Sequence, residues 1–332
     1  MDSKQIVVAV DAMGGDNAPA QNVLGTVQAA KNAKSNVKFI LVGNEEAIES
    51  ELSGDLPGNV EVKHAPEVIE MKDHPVKAIK KKPNSSLAVA AKMVKEGQAD
   101  ALVSAGNTGA ATAAGLLIIG RIKGIDRPAI AAMFPTDKGF SFILDVGANA
   151  DCKPDNLVEF AKMGDIYVRQ IKGIERPTIS LLNIGEESSK GNLLTTKAYE
   201  LLEGAGLNFQ GNIEGRDLPL GTVDIIVCDG FTGNITLKLI EGVAAAILRT
   251  IKTGVSKTLR GRLGAILALP GLRELRESLD PDTYGGSPLL GIDGVVIIAH
   301  GSSTPKAISN AVLAAAFAVE QKVVEEIKSK VV

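Results

Sequence analysis

Ala101-Leu-Val-Ser-Ala-Gly-Asn-Thr-Gly-Ala110 runs from a short apolar strand into a glycine turn and then opens a helix of Ala, Thr and Gly. A buried strand followed directly by a helix is half of a βαβ unit, the building block of parallel sheets. The plan recurs along the chain. Ile6–Val10 runs into Asp11-Ala-Met-Gly-Gly-Asp16, and Phe140–Leu144 into Asp145-Val-Gly-Ala-Asn149. Thr178–Leu182 leads to Asn183-Ile-Gly-Glu-Glu187, Asp224–Cys228 to Asp229-Gly-Phe-Thr-Gly-Asn234, and Val295–Ala299 to His300-Gly-Ser-Ser303. Six polar glycine turns at strand carboxyl ends predict one cleft assembled from many loops, the place where open α/β sheets bind ligands.

Further strands are expected at Lys38–Val42, Val60–Lys63 and Ala129–Phe134. Only Pro135-Thr-Asp-Lys-Gly139 separates Ala129–Phe134 from Phe140–Leu144, too little for a helical crossover, so these two form an antiparallel hairpin. The fold class is therefore α/β with a mixed, mostly parallel sheet. Helices are expected at Pro19–Lys31, Glu45–Leu52, Ser86–Glu96, Thr108–Gly120, Pro154–Ile171, Leu194–Ala205, Ile235–Lys252 and Pro305–Lys328. No linker or repeat divides the chain, which reads as a single catalytic domain over residues 1–332. One stretch, 254–284, breaks the alternation. Leu259, Leu263, Ile266 and Leu267 share one helical face, and Leu272, Leu275 and Leu279 restart another, with Arg260, Arg262, Arg273 and Arg276 around them. This is an inserted amphipathic helical hairpin. Its apolar tip, Ala265–Leu272, packs against the body or a second subunit, enters a membrane surface, or the hairpin does both at once, its helices dimerising and its tip facing lipid.

Composition narrows the function. A net charge of -3 and only 3% aromatic residues disfavour a nucleic-acid module. Two cysteines fit a reducing cytoplasm, and the amino terminus lacks the pattern of a signal peptide. Three histidines and two cysteines show no zinc spacing, so no metal is expected. Cys228, at a strand end, has no paired histidine nearby, which argues against covalent catalysis.

The turns then supply the chemistry. Ser104, Gly106, Asn107, Thr108 and Gly109 open a helix whose first N–H groups form an anion site, unless Asn107 or Thr108 simply caps it. Asp11 at its strand tip is placed to orient a ligand or base. Gly14 and Gly15 follow it, and Asp16 either caps the next helix or binds. Lys190, beside Glu186 and Glu187, is suited to neutralise phosphate. Asp229, Thr232 and Asn234 cap or bind, and His300 with Ser302 repeats the cleft pattern.

These motifs, in this order, resemble the bacterial phosphate acyltransferase of phospholipid synthesis, the PlsX family. The resemblance rests on Asp11–Asp16, Ser104–Ala110, Asp145–Asn149, Asn183–Glu187, Asp229–Asn234 and His300–Ser303, spanning nearly the whole chain. It implies a three-layer fold related to the isocitrate/isopropylmalate dehydrogenases and to phosphate acetyltransferase. It also implies a cytosolic homodimer, peripherally attached to the inner face of the cell membrane. The implied reaction converts acyl-(acyl carrier protein) and inorganic phosphate into acyl phosphate, which passes to a glycerol-3-phosphate acyltransferase. No cofactor is implied. Direct attack by phosphate held near Asn107, Thr108 and Lys190 suits the residues, because such a reaction needs mainly positioning and oxyanion stabilisation. Lys80-Lys-Lys82 and the hairpin arginines are candidate docking points for the acidic carrier protein. A nicotinamide-dependent dehydrogenase would need a dinucleotide loop the sequence lacks, and a non-enzymatic scaffold would leave the turns without a purpose.

Overall fold

The computed structural model describes residues 4–331 except 53 and most of 257–284, where only 258, 264, 267, 268 and 271 are described. The first half reads β1 (Ile6–Asp11), α1 (Ala20–Asn32), β2 (Val37–Gly43), α2 (Glu45–Ser50), β3 (Val60–His64), α3 (Pro75–Lys81), α4 (Ser86–Lys95), β4 (Ala101–Ser104) and α5 (Thr108–Ala114). A π-helical turn, Gly115–Ile119, continues α5. Then come β5 (Ala129–Thr136), β6 (Gly139–Leu144), α6 (Pro154–Lys172), β7 (Ile179–Asn183), α7 (Leu193–Glu203), β8 (Phe209–Glu214), β9 (Ile225–Val227) and α8 (Gly230–Ser256). The chain closes with β10 (Ser287–Leu290), β11 (Val295–Ile298), α9 (Pro305–Glu320) and α10 (Val323–Lys330).

All these strands join one 11-stranded sheet in the order β3-β2-β1-β4-β11-β10-β5-β6-β9-β7-β8. Strand alternation divides its apolar residues between two faces. Val8, Val10, Phe39 and Leu41 pack with α1, α6 and α9 on one side. Ala9, Ile40, Val42 and Leu102 pack with α4 and α5 on the other. The expected mixed α/β sheet is present, covered on both faces, and each fully buried Val, Leu or Ile contributes roughly 1.5–3 kcal/mol.

Strand direction divides the sheet into two sets. β3, β2, β1, β4 and β11 are mutually parallel. β10 opposes β11, β5 opposes β10, and β6 opposes β5. β9, β7 and β8 then run parallel to β6. Three reversals leave the second parallel set pointing opposite to the first. The turns after β1, β4 and β11 therefore form one group, at the carboxyl ends of the first set, and those after β6, β7 and β9 form a second.

Four elements go beyond the sequence reading: α3, β8, β10 and a 3-10 helix at Gly215–Leu220. The expected helix over 305–328 is broken, with Lys322 at φ 54° between α9 and α10. The second piece turns to bury Val323 and Ile327. α8 begins at Gly230 rather than Ile235, so Phe231–Asn234 is its first turn and not a loop. α8 is long enough, with a mean hydropathy of 1.3, to cross a bilayer. Its exposed apolar residues nevertheless form a stripe beside Lys238, Glu241 and Arg249, the pattern of an amphipathic helix. The expected hairpin over 254–284 lies largely outside the described residues, and Leu267 within it is 84% exposed.

Candidate active site

The first group of turns is built on Asp11. Its carboxylate is 2% exposed, and Oδ2 accepts a 2.7 Å hydrogen bond from the Ser104 hydroxyl. Ser104 Oγ in turn accepts from the Gly106 N–H at 3.1 Å, which fixes the glycine loop after β4. Asp11 Oδ1 is buried without a hydrogen-bond partner. Burial pushes the Asp11 pKa up, while Ser86, Ser104 and the backbone of Met13 and Gly14 oppose that shift. Gly14 is obligatory here, because a Cβ would stand 2.5 Å from Asp11 Oδ2 and 2.8 Å from the Gly106 nitrogen. Gly15, at φ 117°, takes a backbone conformation open to glycine.

The turn after β11 closes on the same place. Asp16 donates its N–H to Gly301 O at 2.8 Å, and its exposed side chain faces the Gly301 backbone. It does not cap α1, whose N-cap residue is Pro19 and which has no side-chain cap. His300 is exposed; its Nδ1 lies 2.8 Å from Ser302 Oγ and accepts the Ser302 N–H at 3.3 Å.

Asn107 takes the capping role that the sequence offered beside ligand binding. Its Oδ1 accepts from Ala110 N at 3.0 Å, and Nδ2 donates to Met71 O and Asp73 O at 2.7 and 3.3 Å. It caps α5 and fastens the segment before α3. Thr108 beside it is exposed. Gly109 admits Pro75, whose Cγ would lie 2.7 Å from a Cβ there. Met71, Asp73 and the buried Asn22 were not singled out by sequence reading. Asn22 Nδ2 holds Ala12 O and Gly14 O at 2.9 and 2.8 Å, shaping the turn after β1. An asparagine inside a helix gives no signal of that role.

In the second group, Asp145 is fully buried and committed to the scaffold. Oδ1 accepts from the N–H groups of Ile130, Gly147 and Ala148 at 3.0, 3.2 and 3.1 Å. Oδ2 accepts from Asn149 N and Nδ2 at 2.7 and 2.8 Å. Asn149 also donates to Pro128 O at 2.7 Å. Burial raises the Asp145 pKa against these donors. Asp229 caps α8, accepting from Thr232 N and Oγ1 at 2.9 and 2.8 Å. Asn183 ties its own loop, donating to Lys190 O and Asn212 Oδ1 at 3.0 and 3.1 Å. In these bonds Asp145, Asn149, Asp229 and Asn183 hold their own loops, and Asp229 takes the first of its two expected roles, capping. Free for a ligand are the exposed Glu186, Glu187, Lys190 and Asn234. The Lys190 stem passes over Gly185, where a Cβ would be 2.9 Å from its Cγ. Among the described residues no hydrogen bond or ion pair joins the two groups.

Both thiols are unsuited to attack. Burial pushes the Cys152 pKa up to about 11 and that of Cys228 well above its ordinary value, with Asp145 and Asp229 adding to both shifts. Only the thiolate reacts. Iodoacetamide at pH 7.5 is therefore expected to leave both cysteines of the native protein unlabelled over an hour, read by intact mass. Rapid labelling of Cys228 would reopen a covalent route.

A family model described as a fatty acid synthesis protein matches residues 6–326. A phosphate acyltransferase from Pelotomaculum thermopropionicum is 50% identical over 325 residues, covering 98% of this chain and 94% of that protein. A phosphotransacetylase from Streptococcus pyogenes shares the fold at a TM-score of 0.63 and 19% identity, over 95% of this chain and 94% of its own. So does the 4-hydroxythreonine-4-phosphate dehydrogenase of Klebsiella pneumoniae, at 0.53 and 14% identity over 96% and 98%. The two structures establish architecture alone, whereas the family match runs through both groups of turns. The chain belongs to the fatty acid synthesis protein family, in which the PlsX-type phosphate acyltransferases fall.

Proposed function

We propose that this phosphate acyltransferase of fatty acid and phospholipid synthesis takes its acyl group from an acyl-(acyl carrier protein) thioester and delivers it to inorganic phosphate. The observation that carries the reading is the first group of turns: a buried Asp11–Ser104 pair stiffens a glycine loop whose following Thr108 is exposed. Such a loop offers N–H and hydroxyl donors to an anion or a developing oxyanion without spending a side-chain nucleophile. A phosphate oxygen forms the new bond to the carbonyl carbon, the tetrahedral oxyanion faces the donors, and the carbon–sulfur bond breaks. The departing thiolate takes the proton that the hydrogenphosphate nucleophile gives up as the more acidic acyl phosphate forms. Lys190 neutralises phosphate from the second group, and Glu186 or Glu187 positions it. The acyl phosphate then goes to a glycerol-3-phosphate acyltransferase.

Two associations belong to the same reading. Phe231, Ile235, Leu239, Val243 and Ile247 are exposed every fourth residue along α8, a stripe that a second copy of the chain would cover in a homodimer. The apolar tip around Leu267 would hold the cytoplasmic enzyme against the inner face of the membrane.

The test is an assay of purified protein with an acyl-carrier thioester and labelled phosphate. Labelled acyl phosphate and free carrier thiol should appear in equal amounts. Thioester hydrolysis without acyl phosphate would sink the reading.

A further inference from the structure

We propose that the lysine face of α3 is the docking surface for the acidic carrier protein. The inference rests on the acyl-carrier reading above, and it concerns residues outside the site itself. In α3, Ala78 and Ile79 turn inward, while Lys77, Lys80 and Lys81, at positions i, i+3 and i+4, lie on the exposed side. None of the three makes an ion pair or hydrogen bond among the described residues. Other lysines, Lys190 among them, also lack an ion pair among the described residues, and what distinguishes α3 is that three share one helical face. Elsewhere Lys34 pairs with Glu320, Lys38 with Glu61, Lys238 with Glu241 and Lys328 with Asp293. Carboxylates near α3 are engaged in part. Asp73 is paired at 2.6 Å with Lys82, which also donates to Val68 O, and Glu67 accepts from Asn84 N at 2.8 Å. Glu70 remains exposed, set against the equally exposed Lys72.

Position makes the patch informative. The amino end of α3 rests on the first turn of α5 through Pro75 and Gly109, and the segment before it is fastened by Asn107. A partner seated on the lysines is thus one helix away from the Asp11–Ser104 loop. A chain of net charge -3 repels an acidic protein at long range, so a local cationic face sets both approach and orientation. This refines the sequence expectation: Lys82 is folded away, and Lys77 takes its place on the surface. Lysines in a last helical turn also offset the helix dipole, a role that would affect stability and leave carrier binding untouched.

The experiment compares the wild-type enzyme with a Lys77→Glu/Lys80→Glu/Lys81→Glu variant on two donors, the acyl-carrier thioester and the same acyl chain on pantetheine. With the carrier, KM should rise at least tenfold and the salt dependence of kcat/KM should flatten. Turnover of acyl-pantetheine and the KM for phosphate should stay within twofold. An unchanged carrier KM, or an equal loss on both donors, would overturn the proposal. Absence of acyl phosphate from either donor with wild-type protein would instead count against the acyltransferase reading. The single Lys80→Ala variant, which cannot reverse the charge, should give an intermediate carrier KM.

Discussion

Asp145→Ala is expected to lower the free energy of unfolding by about 3–5 kcal/mol, measured by chemical denaturation. The carboxylate receives five hydrogen bonds inside the protein, four from backbone N–H groups and one from Asn149 Nδ2. Truncation leaves the N–H groups of Ile130 and Asn149 buried and unpaired, and it is this orphaning that dominates the cost. The loss reaches beyond one turn. Asp145 N and O meet Cys228 O and Sγ, and a Cβ on Gly233 would approach the Asp145 carbonyl and its Cys228 neighbour, so β6 and the start of α8 are set against each other here. A typical domain has only about 5–15 kcal/mol in hand, so the variant should be marginal at 37 °C. Asp145→Asn keeps the shape and one acceptor, and about half the loss is expected. A loss under about 1 kcal/mol for Asp145→Ala would mean that the loop repacks, and the scaffold role would fall.

Asp145 also shows what a sequence reading can and cannot separate. Asp145-Val-Gly-Ala-Asn149 and Asp11-Ala-Met-Gly-Gly-Asp16 look alike as text, since both put a carboxylate at a strand end before glycine. In the structure the first is saturated by its own loop, while the second keeps a buried oxygen without a partner. Whether an Asp closes its turn or faces a ligand depends on which N–H groups curl back, and residue type does not encode that. Buried strands were legible because continuous Val/Ile/Leu runs have few other uses. β8 was not, because it lies at the sheet edge and carries Gln210 and Gly211, and β10 is four residues containing Pro288. The hairpin of β5 and β6 was legible from its short connection. Its consequence, two oppositely directed sets of strands with a group of turns on each, was not, because order along the chain does not give order across the sheet.

That division makes Lys190→Ala the decisive substitution for function. Lys190 is exposed and makes no ion pair among the described residues, so its removal should leave stability within about 0.5 kcal/mol of wild type. If its ammonium neutralises phosphate in the transition state, kcat/KM for phosphate should fall roughly 10²–10³-fold, comparable to losing one oxyanion donor. Lys190→Arg should recover part of the loss, because charge is kept while the point-like ammonium is exchanged for a planar fork. A fall confined to the KM for phosphate would place Lys190 in ground-state binding, and a fall in kcat would place it at the reacting atoms. Activity within threefold of wild type would remove Lys190 and with it the second group from the chemistry. The reaction would then belong to the turns after β1, β4 and β11 alone, with Asp11, Thr108 and His300 left to account for it.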